Sequence, residues 1–202
     1  MNLPNRITLS RLGLAAVLFL LMALMEHEVI HSLGTWGWVV YVLFIVATGT
    51  DWLDGFVARK YGLVSPLGRI LDPFVDKVVI CGTYVFLTGL FPKFVPAWFT
   101  VAILAREFFV NALRGYLESR GIDFSARGSG KLKMILQSVS IGCVLFMMGT
   151  AHYGLFASPS PLSGGFVVQT TSILLVLALV STLWSGWQYL QIGMRSLKED
   201  RP

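Results

Sequence analysis

The chain has 202 residues, 55% of them hydrophobic and only 13% charged, and a mean hydropathy of +0.70. That composition excludes an ordinary soluble domain and is the composition of an all-α integral membrane protein, read here as one domain over residues 1–202. The net charge of +5 does not mark a nucleic-acid binder, because the basic residues cluster beside apolar runs, as the positive-inside rule expects.

Residues 1–7 are expected to form a short interfacial turn at Pro4 and Asn5, with Arg6 and Arg11 on the cytoplasmic side. The apolar run over residues 7–25 is long enough to cross a bilayer at about 20 residues per span. It lacks a small-residue cleavage site and is read as a retained span, not a signal peptide. Glu26, His27, Glu28 and His31 follow as a polar outer loop. The second span is expected over residues 36–58, with Trp36, Trp38 and Tyr41 as an outer aromatic belt. Arg59, Lys60, Gly62 and Pro66 then make the inner turn.

The third span is expected over residues 67–91, with Pro73 as a candidate kink, and the fourth over residues 98–117. The fourth carries Arg106, Glu107, Asn111 and Arg114, and charges at that depth usually line a pathway or a site. A buried Arg–carboxylate pair that only aids packing is the competing reading. After a polar inner loop at 118–130, Lys131 and Lys133 open the fifth span, where free N–H groups and two lysines suit an anion. A plain charge anchor is the alternative. The sixth span is expected over residues 166–189, with Arg195, Lys198 and Arg201 holding the C-terminus inside. Six spans result, with both termini cytoplasmic. Cys81 and Cys143 lie within apolar segments and read as small buried hydrophobes.

The chemistry concentrates between Asp51 and Asp76, where four of the 11 acidic residues fall. Asp51 and Asp54 share a helical stripe with Gly55 and Ala58, and Gly68, Asp72 and Asp76 form a second stripe at steps of four. Two such faces opposed across a short turn gather four carboxylates, which repel one another unless cations sit between them. Hard oxygen donors suit Mg²⁺, Mn²⁺ or Ca²⁺, and Mg²⁺ suits a phosphate-bearing substrate. The bare face at Gly55 and Ala58 admits a bulky group close to the backbone, and Arg59 and Arg69 add fixed charge for a diphosphate. Taken singly, Asp72 with Pro73 suits a helix N-cap, and Asp51 with Asp54 suits a solvated helix end.

This stretch resembles the signature of the CDP-alcohol phosphotransferases, D-x-x-D-G-x-x-A-R, eight residues, then G-x-x-x-D-x-x-x-D. Asp51, Asp54, Gly55, Ala58, Arg59, Gly68, Asp72 and Asp76 meet every fixed position. Looser likeness to the bacterial subgroup that uses sn-glycerol 3-phosphate extends over residues 106–114, 130–133, 183–185 and 188–190 and the opening residues 2–8.

The resemblance implies transfer of a phosphatidyl group from CDP-diacylglycerol to sn-glycerol 3-phosphate, releasing CMP. It implies a divalent cofactor, Mg²⁺ or Mn²⁺ and two ions, held by Asp51, Asp54, Asp72 and Asp76, with Asp76 as general base. Gly55, Ala58, Arg59 and Gly68, with Asp54, Asn5 and Thr8, are expected at the CDP-lipid. Arg106, Arg114, Lys131 and Lys133 are expected at the acceptor phosphate, which needs several cationic donors. A homodimer in the cell (inner) membrane, with its site facing the cytoplasm, is expected. Other acceptors, such as inositol phosphate or serine, stay open, as does a divalent-cation transporter.

Overall fold

The structure, a computed structural model, describes residues 3–27, 33–61, 66–121, 128–150 and 164–199; the side chains of residues 3–8, 33, 51–61, 66–70, 128–129, 164 and 197–199 lie outside that description. Six helices occur in the order α1 Leu3–Glu26, α2 Leu33–Tyr61, α3 Pro66–Leu90, α4 Ala97–Ser119, α5 Gly128–Thr150 and α6 Gly164–Glu199. The described residues contain no strand. Among them, Leu9–Glu26, Leu71–Leu90, Gly130–Thr150 and Gly165–Ser196 are long and apolar enough to cross a membrane, and Gly34–Thr50 forms a shorter apolar helix. Helices are the expected spanning element because they satisfy their own backbone groups where water is absent.

Three expectations are corrected at the helix ends. Residues 3–7 are helical rather than a turn. Proline is tolerated in a first helical turn, where its missing N–H has no partner to lose. Arg59 and Lys60 belong to the last turn of α2, and Pro66 is the first residue of α3, so the inner turn shrinks to residues 62–65, which lie outside the described residues. The sixth helix runs on to Glu199 instead of ending near Tyr189. Its extra turns find partners on α4: Ile192 packs against the Val110, Leu117 and Tyr189 cluster, and Gly193 lies against Leu113. Helix α3 is continuous through Pro73.

The helices close a ring in the order α1, α2, α5, α6, α4, α3, and α3 also reaches α2 and α5 across the middle. Side-chain contacts fix their directions. Phe19 against Gly82 and Glu26 against Gly89 run α1 parallel to α3, while Gly37 against Gly149 and Tyr41 against Phe146 run α2 antiparallel to α5. Tyr84 bonded to Ser140, with Asp76 and Lys133 at one cleft, sets α3 parallel to α5, and Gln137 bonded to Thr182, with Gly130 against Tyr189, sets α5 antiparallel to α6. The start of α1 and the end of α6 therefore lie at one end of the bundle, together with the end of α2 and the start of α3.

The apolar core draws on all six helices, through Leu18, Phe44, Tyr84, Ile103, Leu145 and Leu175 among others. Three pairs of polar side chains inside it bond across helices: Tyr84 Oη with Ser140 Oγ at 2.8 Å, Thr88 with Thr100 at 2.7 Å and Gln137 with Thr182 at 3.0 Å. Such pairs offset the cost of burying a polar group where it has no water to turn to. At the signature end, the space between α3, α4 and α5 stays open as a cleft.

Candidate active site

The cleft has a volume of about 290 Å³ and is lined from α3, α4, α5 and one residue of α6. Helix α3 supplies Asp72, Pro73, Asp76 and Lys77, one face at steps of one and four. Helix α4 supplies Arg106, Glu107, Asn111 and Arg114, and α5 supplies Lys131 and Lys133. Among the described residues, five cations thus meet three carboxylates around one space. A cleft with that surplus favours anionic occupants.

The cations are not equivalent. Arg106, Glu107 and Lys133 are 9%, 6% and 5% exposed, and they form one buried cluster. Lys133 Nζ donates to Glu107 Oε1 at 2.5 Å, and Arg106 Nη1 donates to the same oxygen at 3.1 Å. Arg106 Nη2 donates to Ser185 Oγ on α6 at 2.7 Å. The Arg106 guanidinium also lies 5.7 Å from the centre of the Tyr189 ring. Gly186 makes room for this arrangement, since a Cβ there would come within 2.9 Å of Arg106 Cγ. Arg114 is half-buried, and its Nε has no hydrogen-bond partner among the described residues; Lys131 is exposed.

Six of the site residues expected from sequence therefore meet in one place: Asp72, Asp76, Arg106, Arg114, Lys131 and Lys133. Asp51, Asp54, Gly55, Ala58, Arg59 and Gly68, with Asn5 and Thr8, have side chains outside the described residues. Their helices place them at the same end, because they occupy the last turns of α2 and the first turns of α3 and α1. Asp72 and Asp76 present hard oxygen donors one turn apart, which fits Mg²⁺ or Mn²⁺. Among the described residues no group of three His, Cys, Asp or Glu side chains is placed to hold a metal ion, and Asp51 and Asp54 fall outside that set.

Arg106 is in a buried pair with a carboxylate, and it also lines the cleft. Glu107 and Lys77 were not among the expected site residues, although Glu107 is the one acidic residue between Asp76 and Glu118. Tyr189, at the expected end of the sixth span, is buried and lines the cleft, whereas Trp184 and Trp187 beside it are exposed.

Residues 1–184 match the CDP-alcohol phosphatidyltransferase family. The chain belongs to that family. It is similar to the CDP-diacylglycerol–glycerol-3-phosphate 3-phosphatidyltransferase of Bacillus subtilis (strain 168), at 31% identity over 98% of this chain and 97% of the relative. It is also similar to the probable phosphatidylglycerophosphate synthase of Mycobacterium tuberculosis (strain ATCC 25618 / H37Rv), at 34% identity over 97% of this chain and 83% of the relative. The enzyme of the same name as the first from Rickettsia typhi is 30% identical over 93% of this chain and 94% of its own length. In this CDP-alcohol phosphatidyltransferase, the second half of the signature, Asp72 and Asp76, forms the α3 wall of the cleft. The basic residues of α4 and α5 form the facing wall.

Proposed function

We propose that this protein transfers the phosphatidyl group of CDP-diacylglycerol to sn-glycerol 3-phosphate, giving phosphatidylglycerophosphate and CMP. The observation that carries this reading is the wall of Arg106, Arg114, Lys131 and Lys133 facing Asp72 and Asp76 across one cleft. An acceptor with no net charge, such as serine, would leave the positive surplus of the described cleft residues unbalanced, and a phosphomonoester offsets it. The names of the relatives point to the same acceptor.

In this reading Asp51, Asp54, Asp72 and Asp76 hold two Mg²⁺ or Mn²⁺ ions. Bound there, the ions supply charge stabilisation for the diphosphate oxygens and the leaving CMP. Asp76 takes the proton from the attacking hydroxyl of the acceptor, as general base. Gly55, Ala58, Arg59 and Gly68, with Asp54, Asn5 and Thr8, hold the cytidine nucleotide. Arg114 and Lys131 offer the least committed donors to the acceptor phosphate, and Arg106 and Lys133 complete its shell.

All six helices are taken to span the cell (inner) membrane with both termini and the cleft on the cytoplasmic side. The placement of Lys and Arg supports this, since Lys93 is the exception among them in lying at the far end. The lipid donor then reaches the cleft from the bilayer, and the enzyme is taken to be a homodimer. The deciding assay offers labelled CDP-diacylglycerol with a panel of alcohols and scores CMP release. Release with serine or inositol phosphate in preference to glycerol 3-phosphate would overturn the acceptor assignment. Ion flux without CMP release would move the protein to the transporter class.

A further inference from the structure

Arg106 and Lys133 are two cations that the apolar interior disfavours, yet they are held within about 3 Å of one oxygen atom. Three helices contribute to the arrangement: α4 through Arg106 and Glu107, α5 through Lys133, and α6 through Ser185 and Tyr189. The carboxylate cuts the charge of the cluster from two to one. It also leaves donors over. Lys133 uses one of its three N–H groups on Glu107, and Arg106 uses one of its five on Glu107 and one on Ser185. Both side chains line the cleft and keep donors beyond these bonds, Arg106 Nε being buried without a partner among the described residues.

We infer that Glu107 is a positioning residue for the acceptor phosphate, holding Arg106 and Lys133 together at the cleft so that both address one phosphate group. The inference rests on the proposed acceptor site above. Without the carboxylate, two buried like charges face each other at close range, where solvent does not screen them. Each then gains by turning away from the other, and the phosphate loses a preformed pair of donors. Glu107 itself touches no substrate in this account. Its effect passes wholly through the two cations.

The test uses the full-length enzyme in lipid nanodiscs, with separate Michaelis constants for glycerol 3-phosphate and CDP-diacylglycerol. Glu107→Gln keeps the shape and removes the charge. It is expected to raise the acceptor constant about tenfold or more while moving the donor constant less than about twofold. Glu107→Asp should recover part of the loss. In a Lys133→Met background, Glu107→Gln should add much less than it does alone, because the partner is already gone. A folded Glu107→Gln enzyme with an unchanged acceptor constant overturns the inference. So does a rise in both constants together, or full additivity with Lys133→Met. If Glu107→Gln does not fold, Glu107→Asp decides the matter by the same split between the two constants. If Lys133→Met and Arg114→Ala both leave the acceptor constant unchanged, the acceptor site itself is wrong, and the inference falls with it.

Discussion

Arg11 in α1 donates its Nε to the carbonyl oxygen of Ala47 in α2, at 3.1 Å, one helical turn before Asp51. Arg11, expected on the cytoplasmic side, is only 2% exposed within the bundle. The bond ties α1 to the last turns of α2, where the signature begins. Replacing Arg11 by Ala removes a charge-assisted bond between those helices and is expected to cost about 1.5–3 kcal/mol. A lowered midpoint for thermal aggregation in detergent, accompanied by slower turnover, is the expected result. An unchanged midpoint would show that α1 and α2 are held by packing alone.

Asp76 carries the second prediction. Asp76→Asn should lower turnover by about 10²–10⁴-fold, the usual size of a lost general base. Binding of CDP-diacylglycerol should largely survive. Turnover near the parent value in a folded, metal-loaded variant would assign the base elsewhere. Chelation by EDTA should likewise abolish transfer, with Mg²⁺ or Mn²⁺ restoring it, because the hard oxygens of Asp72 and Asp76 face the cleft.

The third concerns Arg114, whose Nε is buried with no hydrogen-bond partner among the described residues while the side chain lines the cleft. A donor left in that state is compensated when a ligand accepts from it. Arg114→Ala should raise the Michaelis constant for glycerol 3-phosphate by about ten- to a hundredfold. The constant for CDP-diacylglycerol should move less. Arg59→Ala, from its place in the signature, should show the reverse preference.

Gly37 tests the packing far from the cleft. A Cβ added there would lie 2.8 Å from the backbone nitrogen of Gly149, a contact with main chain that cannot swing aside. Gly37→Ala should push α2 away from α5 and lower thermal stability, by about 1–3 kcal/mol if the strain resembles overpacking of a core. The Michaelis constants of the surviving folded enzyme should stay close to those of the parent. A variant as stable as the parent would show that this pair of helices has slack at their crossing.

The sequence by itself determined the class of protein, the number of helices and the carboxylate signature. A bilayer leaves so few ways to satisfy a backbone that long apolar runs read directly as helices. Carboxylates at helical spacing among such runs stand out because burying them is costly. The sequence was less informative at helix ends: Pro4 and Tyr189 read as boundaries, yet the helices ran through both, since neither position alone reveals what a neighbouring helix offers. Only the tertiary structure decided which cations are committed. Lys133 meets Glu107 across 26 residues, and Arg106 meets Ser185 across 79. Those pairings depend on where α4 crosses α5 and α6, which periodicity along one helix does not encode. A helical repeat says which residues share a face; the packing of the bundle says which faces meet, and so which charges are balanced within the protein and which are left for a substrate.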